Sequence, residues 1–284
     1  MVAMSDFEMM NEIKWCPGCG NFGILRAMKK ALVDLSISPD KILVISGIGQ
    51  AAKTPHYLKA NLFNGLHGRC LPVATGAKLA NPDLVVIAES GDGCMYSEGG
   101  NHFLAAIRRN IDITVLVHNN QVYGLTKGQA SPTSDEGFTT KAQPEGVALA
   151  PFNPLAVAVA LHAGFVGRGY VGLEDDLIQL LVQAINHRGF SLVDILQPCV
   201  SFNRVNTYQW YKDRCKPLPS SYDPTDWEAA IRLSQQWGDE IPVGVIYRNS
   251  RPPFEDHIAT LKKGPLVTQT VDRARLAKVM ETYG

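Results

Sequence analysis

The chain has 284 residues, of which 45% are hydrophobic and 19% charged, enough for a sizeable apolar core. Lys plus Arg and Asp plus Glu each total 27, so the net charge is zero, which argues against a nucleic-acid partner and against electrostatic attachment to a membrane. No run approaches eighteen consecutive apolar residues and residues 1–15 lack an apolar export segment, so the expected setting is a reducing cytoplasm.

In chain order, the first feature is Cys16-Pro17-Gly18-Cys19. Without an export signal, that spacing points to metal or redox chemistry before a disulfide framework. Residues 22–35 follow a helical apolar period, with Ile24, Leu25, Met28, Leu32 and Leu35 on one broad face. Short apolar runs at 41–46, 84–88 and 113–117 lead into Gly47, Gly91 and Asn119 and suit buried strands. A helix is expected at 154–163, a short strand at 165–166, a helix at 175–186 and a strand at 192–196. This alternation predicts an α/β fold, a parallel sheet with helices on both faces. Beyond Cys199 the pattern changes, and residues 202–253 become aromatic, Pro-rich and charged. The expected organisation is therefore one domain over 1–200, with 201–284 a C-terminal extension packing on the core or on a partner subunit.

In parallel sheets, ligands bind in the loops at the carboxyl ends of the strands. Gly91-Asp92-Gly93 follows one predicted strand, and Asn119-Asn120 follows the next after twenty-five intervening residues, 94–118. On its own GDG reads as a turn. With this spacing and strand context it resembles the motif of thiamine-diphosphate-binding, or pyrophosphate-binding, modules. The glycines let the backbone approach a diphosphate, and the following helix offers N–H groups. Asp92, Asn120 and the carbonyl of Val122 make a hard-oxygen set for Mg2+. Gly91, Gly93, Gly124, Leu125 and Thr126 would line the same cofactor site.

The stretches WCPGCGNFG (15–23), SGIGQAAK (46–53), FNGLHGR (63–69), LPVATG (71–76), NNQVYGLTKGQASPTS (119–134) and QPCVSFN (197–203) resemble the β subunits of 2-oxoacid:ferredoxin oxidoreductases, of the 2-oxoglutarate type. The likeness spans residues 15–253. It implies that the cofactor site is shared with an α subunit, which supplies the glutamate that activates the aminopyrimidine. It implies oxidative decarboxylation of a 2-oxo acid, or the reverse carboxylation, with coenzyme A taking the acyl group and ferredoxin the electrons. His67 would donate to the diphosphate or a reacting oxygen. Lys127 would sit near the substrate, and Lys53 would hold a distal carboxylate, favouring 2-oxoglutarate. Arg69 and Thr126 are supporting contacts.

The resemblance also implies that Cys16, Cys19 and Cys199 bind a [4Fe–4S] cluster, for which soft thiolates are suited. The family's further cysteine follows Gly-Ile-Gly, where this chain has Gln50. Cys94 and Cys70, on neighbouring loops, are candidates for the fourth thiolate, or a non-cysteine ligand stands in. Cys215 lies outside this set. Two alternatives predict different metals: a non-redox thiamine-dependent decarboxylase or synthase subunit without iron, and a non-catalytic scaffold with zinc at the CxxC.

Overall fold

The computed structural model describes residues 2–283. Its framework is an eight-stranded sheet built from β1 (Ile42–Ser46), β2 (Asn61–Asn64), β3 (Val85–Gly91), β4 (Thr114–Asn119), β7 (Phe165–Tyr170), β8 (Ser191–Leu196), β9 (Cys215–Pro217) and β10 (Ile241–Arg248). The spatial order is β2-β1-β3-β4-β8-β7-β10-β9. Every pairing is parallel except that of β10 with β7, which is antiparallel and carries a register shift between Val245 and Tyr247. A two-stranded hairpin, β5 (Val122–Tyr123) with β6 (Gln129–Ala130), projects beyond the sheet.

The alternation of strand side chains divides the core in two. On one face, Val44, Ile87, Leu116, Val193 and Ile195 meet Ile24, Met28 and Leu32 of α1 (Asn21–Asp34). Leu177 and Leu181 of α5 (Glu174–Asn186) join them there. On the other face, Ile45, Val86, Ala88, Val115, Val117 and Leu192 are covered by four helices: α2 (Cys70–Ala80), α3 (Gly100–Arg109), α4 (Pro154–Ala160) and α7 (Trp227–Ser234). Each fully buried Leu, Ile or Phe stabilises by about 1.5–3 kcal/mol. A short helix α6 (Tyr208–Arg214) leads into β9, and an exposed α8 (Arg273–Glu281) lies near the C-terminal end. The helix-covered parallel sheet is the architecture expected from the sequence.

The differences lie in elements without a clean period. No helix was expected over α2, and no strand over β2, β9 or β10. β2 is a polar edge strand with only Leu62 half-buried. The α2 sequence contains Pro72, Pro at its first turn being tolerated, and Gly76. β10 contains Pro242 and Gly244, both unusual inside a sheet. The stretch after Cys199 thus contributes two strands to the main sheet. Among the described residues, no helix is long and apolar enough to cross a membrane.

Candidate active site

β1, β3, β4 and β8 are consecutive neighbours in the sheet, and their carboxyl ends deliver Gly47–Gln50, Asp92, Asn119–Asn120 and Gln197–Cys199 to one side of the molecule. Residues far apart in sequence therefore converge. A cleft of about 120 Å³ is lined by Gln50, His67, Gly91, Asp92, Gly93 and Asn120. Val122, Gly124, Leu125 and Thr126, grouped with Asp92 and Asn120 in the sequence reading, line the same cleft.

Asp92 is 1% exposed and opens a π-helical turn, Gly93–Glu98, that runs into α3. Such wide turns concentrate at functional sites. The hydroxyls of Ser131 and Thr133 both donate to Asp92 Oδ2, the second over 2.7 Å, and no side chain among the described residues donates to Oδ1. Burial pushes the Asp92 carboxyl up to about 6, against the pull of those two hydroxyls, and nearby Asp194 adds to the rise. A buried carboxylate is costly without a cation, so this position suits a divalent metal ion. Asn120 Oδ1 accepts the N–H of Val122 over 3.1 Å, which turns the chain and brings the Val122 carbonyl into the same loop. Gln121, between them, has φ +59°, a left-handed conformation costly for a non-glycine residue. Its side chain is held by donation to the Thr133 carbonyl (2.8 Å) and by the Tyr211 hydroxyl (2.8 Å).

Gly93 packs under the ring of Tyr123, where an added Cβ would stand 2.3 Å from a ring carbon. Only glycine fits that close approach. The exposed His67 stands at the cleft mouth with Nε2 3.4 Å from Glu98 Oε2 and its ring edge-on to Tyr123. Thr126 donates to Gln129 Oε1 over 2.6 Å and lines the cleft. Exposed Lys127 has φ +84° at the hairpin tip, beside the lining residues. Lys53 is half-buried in the 3-10 helix Ala51–His56, two residues past the lining residue Ala51, and Arg69 faces His102 Nε2 at 3.2 Å. Lys53, Arg69 and Lys127 flank the cleft and do not line it.

A second, smaller recess adjoins the first. Cys16, Cys19 and Cys199 line it together with Gln50, Asn120 and Gly124, three residues shared with the cleft. Burial pushes the Cys19 thiol up to about 11, the Asn21 N–H pulls it back, and Cys199 and Cys16 add to the rise. Metal binding at such a thiol must displace a proton. Among the described residues, no three His, Cys, Asp or Glu side chains surround a point fit for a single metal ion. A polynuclear cluster makes a different demand, since each thiolate binds its own metal atom and the sulfurs stand further apart.

The loops carrying the cysteines are tied together from below. Asn21 Oδ1 accepts from His118 Nδ1 (2.8 Å) and Gln197 Nε2 (2.9 Å), joining the Cys19 loop to the Cys199 loop. His118 Nε2 pairs with buried Glu89 at 2.7 Å, and Glu89 also accepts from Thr54 (2.6 Å). Cys94 and Cys70 do not line the recess. Cys94 is on the cleft wall, its Sγ accepting from Gly68 N–H (3.2 Å) and Ile48 N–H (3.4 Å). Cys70 begins α2, and burial pushes its thiol up to about 12, with Cys94 adding to the rise. Cys215 is buried on β9, outside both cavities.

Sequence reasoning missed Ser131 and Thr133 as partners of Asp92, and Asn21, Glu89 and His118 as a buried support. The only advance signal was the hydroxyl-rich SPTS run after the hairpin.

The chain is similar to known proteins. Residues 46–195 match the family model described as thiamine pyrophosphate enzyme, C-terminal TPP binding domain. Residues 199–263 match the family model for the C-terminal part of the pyruvate ferredoxin oxidoreductase beta subunit. The chain is 47% identical to 2-oxoacid:ferredoxin oxidoreductase 1, subunit beta, of Aeropyrum pernix, over 86% of this chain and 81% of that one. It is 46% identical to the 2-oxoglutarate oxidoreductase subunit KorB of Mycobacterium tuberculosis, over 70% of this chain and 53% of the relative. A solved structure of 2-oxoglutarate:ferredoxin oxidoreductase from Magnetococcus marinus, with 2-oxoglutarate, coenzyme A and succinyl-CoA bound, superposes with a TM-score of 0.92 at 34% identity. That match covers 98% of this chain and 96% of the other.

Proposed function

Since the chain belongs to the β subunits of the 2-oxoacid:ferredoxin oxidoreductases, we propose that it holds thiamine diphosphate through Mg2+, acts on 2-oxoglutarate, and passes electrons through a [4Fe–4S] cluster to ferredoxin. Membership in an oxidoreductase family leaves no ground for the non-redox or zinc-scaffold alternatives. When bound, thiamine diphosphate supplies the carbanion chemistry at the 2-oxo carbonyl, and coenzyme A receives the acyl group.

The observation that carries the magnesium assignment is the geometry of Asp92. Its Oδ2 is satisfied by two hydroxyls, and Oδ1 is left to a cation on the cleft wall. Asp92, Asn120 and the Val122 carbonyl would hold Mg2+ with hard oxygens. Gly91 and Gly93 admit the diphosphate, and His67, steadied by Glu98, would offer a proton to a diphosphate or substrate oxygen at the mouth.

Lys53 would hold the distal carboxylate of 2-oxoglutarate, with Lys127 on the facing hairpin. The names of the KorB relatives support that substrate. Around the two cavities, Ile48, Leu66, Leu125, Val200 and Phe202 are exposed large apolar residues. Such a rim supports docking of the α subunit over the cleft. The three cysteines beside the cleft support the cluster and an electron path starting next to the cofactor.

Asp92→Ala tests the assignment. Titration of thiamine diphosphate into the complex with its α subunit should show Mg2+-dependent affinity falling by at least about 100-fold. Retained tight, magnesium-dependent binding would sink it. Lys53→Ile should shift the 2-oxo acid preference away from 2-oxoglutarate, and an unchanged substrate ratio would remove Lys53 from substrate recognition.

A further inference from the structure

Three cysteine side chains line the recess, and a cubane cluster has four irons to satisfy. The fourth wall is formed by Gln50, whose Oε1 is buried and has no hydrogen-bond partner. A buried acceptor left without a donor or a metal is unfavourable, so something absent from the polypeptide is expected to complete it.

The other polar groups lining the recess are already engaged. Asn21 Oδ1 accepts from His118 and Gln197, and Asn120 is the residue assigned above to Mg2+. Ser201 Oγ donates to Cys16 Sγ over 3.3 Å. The two further cysteines considered from the sequence do not reach the recess, and Cys94 Sγ is held by two backbone N–H groups. The Gln50 backbone is itself anchored to the cysteine loop, because Trp15 Nε1 donates to its carbonyl over 2.7 Å. Gln50 lines both the recess and the cofactor cleft, so an iron bound to its side chain would be the one facing the cofactor.

We propose that Gln50 Oε1 is the fourth ligand of the cluster, giving one iron an amide oxygen in place of a thiolate. The proposal rests on the cluster assignment above and goes further by naming the donor. A neutral amide oxygen is a weaker donor to iron than thiolate. That iron should therefore be the most labile and spectroscopically distinct. The cluster also carries one negative charge fewer than an all-thiolate one, which favours the reduced state.

The test uses the anaerobically purified α/β complex enriched in 57Fe, with iron and sulfide counts, Mössbauer spectra and potentiometry. The parent complex should hold about four irons per β chain, with one of them distinct. Gln50→Cys should keep about four, make them alike, and shift the reduction potential to more negative values. Gln50→Ala should lose the distinct iron and leave about three per chain, while Gln50→Glu, which keeps an oxygen donor, should retain four. Circular dichroism melting and the iron content of Gln50→Cys separate ligand loss from failure to fold. If Gln50→Ala keeps four irons with an unaltered spectrum, Gln50 is not a ligand, although the cluster assignment stands. If the parent complex contains no iron or sulfide, the cluster assignment itself fails, and this inference with it.

Discussion

The diphosphate side and the cysteine side of the site share Gln50, Asn120 and Gly124 as a common wall. On the diphosphate side, Asp92 is buried, two hydroxyls fix one of its oxygens, and the neighbouring backbone is held in a strained left-handed turn at Gln121. Hard-cation sites need their oxygens set at short, defined distances, and such a shell is preorganised before the ion arrives. On the cysteine side, Cys16 is exposed, Cys19 and Cys199 are half-buried, and of the buried, partnerless Gln50 Oε1 and Gln197 Oε1 it is Gln50 that lines the recess. Order there comes from beneath, through Asn21, Gln197, His118 and Glu89. One half is finished by the polypeptide, and the other is completed by what it binds.

Substitutions on one side should therefore leave the other largely intact. The largest separation is expected for Cys16→Ser, which should abolish the magnetic resonance signal of the reduced cluster. It should change Mg2+-dependent thiamine diphosphate affinity by less than about threefold, a shift below ~1 kcal/mol. An unchanged spectrum would remove Cys16 from the ligand set, and a parallel loss of cofactor binding would show that the sides are not separable.

Gly93→Ala acts on the other side, by forcing a methyl group against the Tyr123 ring. Overpacking of about 1–3 kcal/mol should weaken cofactor binding by about 10- to 100-fold, without changing the iron count. The double variant Gly93→Ala, Tyr123→Ala should recover part of that loss. No recovery would place the constraint elsewhere. Thr133→Val removes a donor to Asp92 while keeping the shape, and about a tenfold loss of Mg2+ affinity is expected in a magnesium titration. Wild-type affinity would mean that the hydroxyl does not orient the carboxylate.

The smallest effect concerns the scaffold of the cysteine side. Arg26 and Lys30 on α1 both bond Glu174 at the start of α5, and these hydrogen bonds, that of Arg26 first, hold the Glu174 carboxyl down to about 2. Because the folded value lies below the unfolded one, near 4.5, the stabilisation is complete above that pH and fades as pH falls toward 2. The groups are partly exposed, so Glu174→Gln should cost only about 0.5–1 kcal/mol at neutral pH. Thermal melts should show the difference shrinking below about pH 4, and a constant difference would contradict the ion-pair account.

Much of the sheet was legible from the sequence because β1, β3, β4 and β8 are short, apolar and buried on both faces. α1 and α5 each carry a clear apolar stripe. β2 was not legible, since an edge strand with little burial needs no apolar period, and β10 hid behind Pro242 and Gly244. In the site, the glycines, Asp92 and the paired asparagines announced themselves by spacing. The hydroxyls of Ser131 and Thr133 did not, because their contacts with Asp92 span 39 and 41 residues and arise only when the hairpin folds back. Gln50 was visible only as a departure from a family pattern; in the structure it lines the recess with the cysteines, and its buried Oε1 has no hydrogen-bond partner.

The central claim is that one β chain holds a magnesium–diphosphate site and an iron–sulfur site side by side. It is tested most directly by iron, acid-labile sulfide, magnesium and thiamine analysis of the α/β complex purified under strict anaerobiosis. About one thiamine diphosphate, one Mg2+ and four irons per β chain are expected. Thiamine and magnesium without iron or sulfide would contradict it.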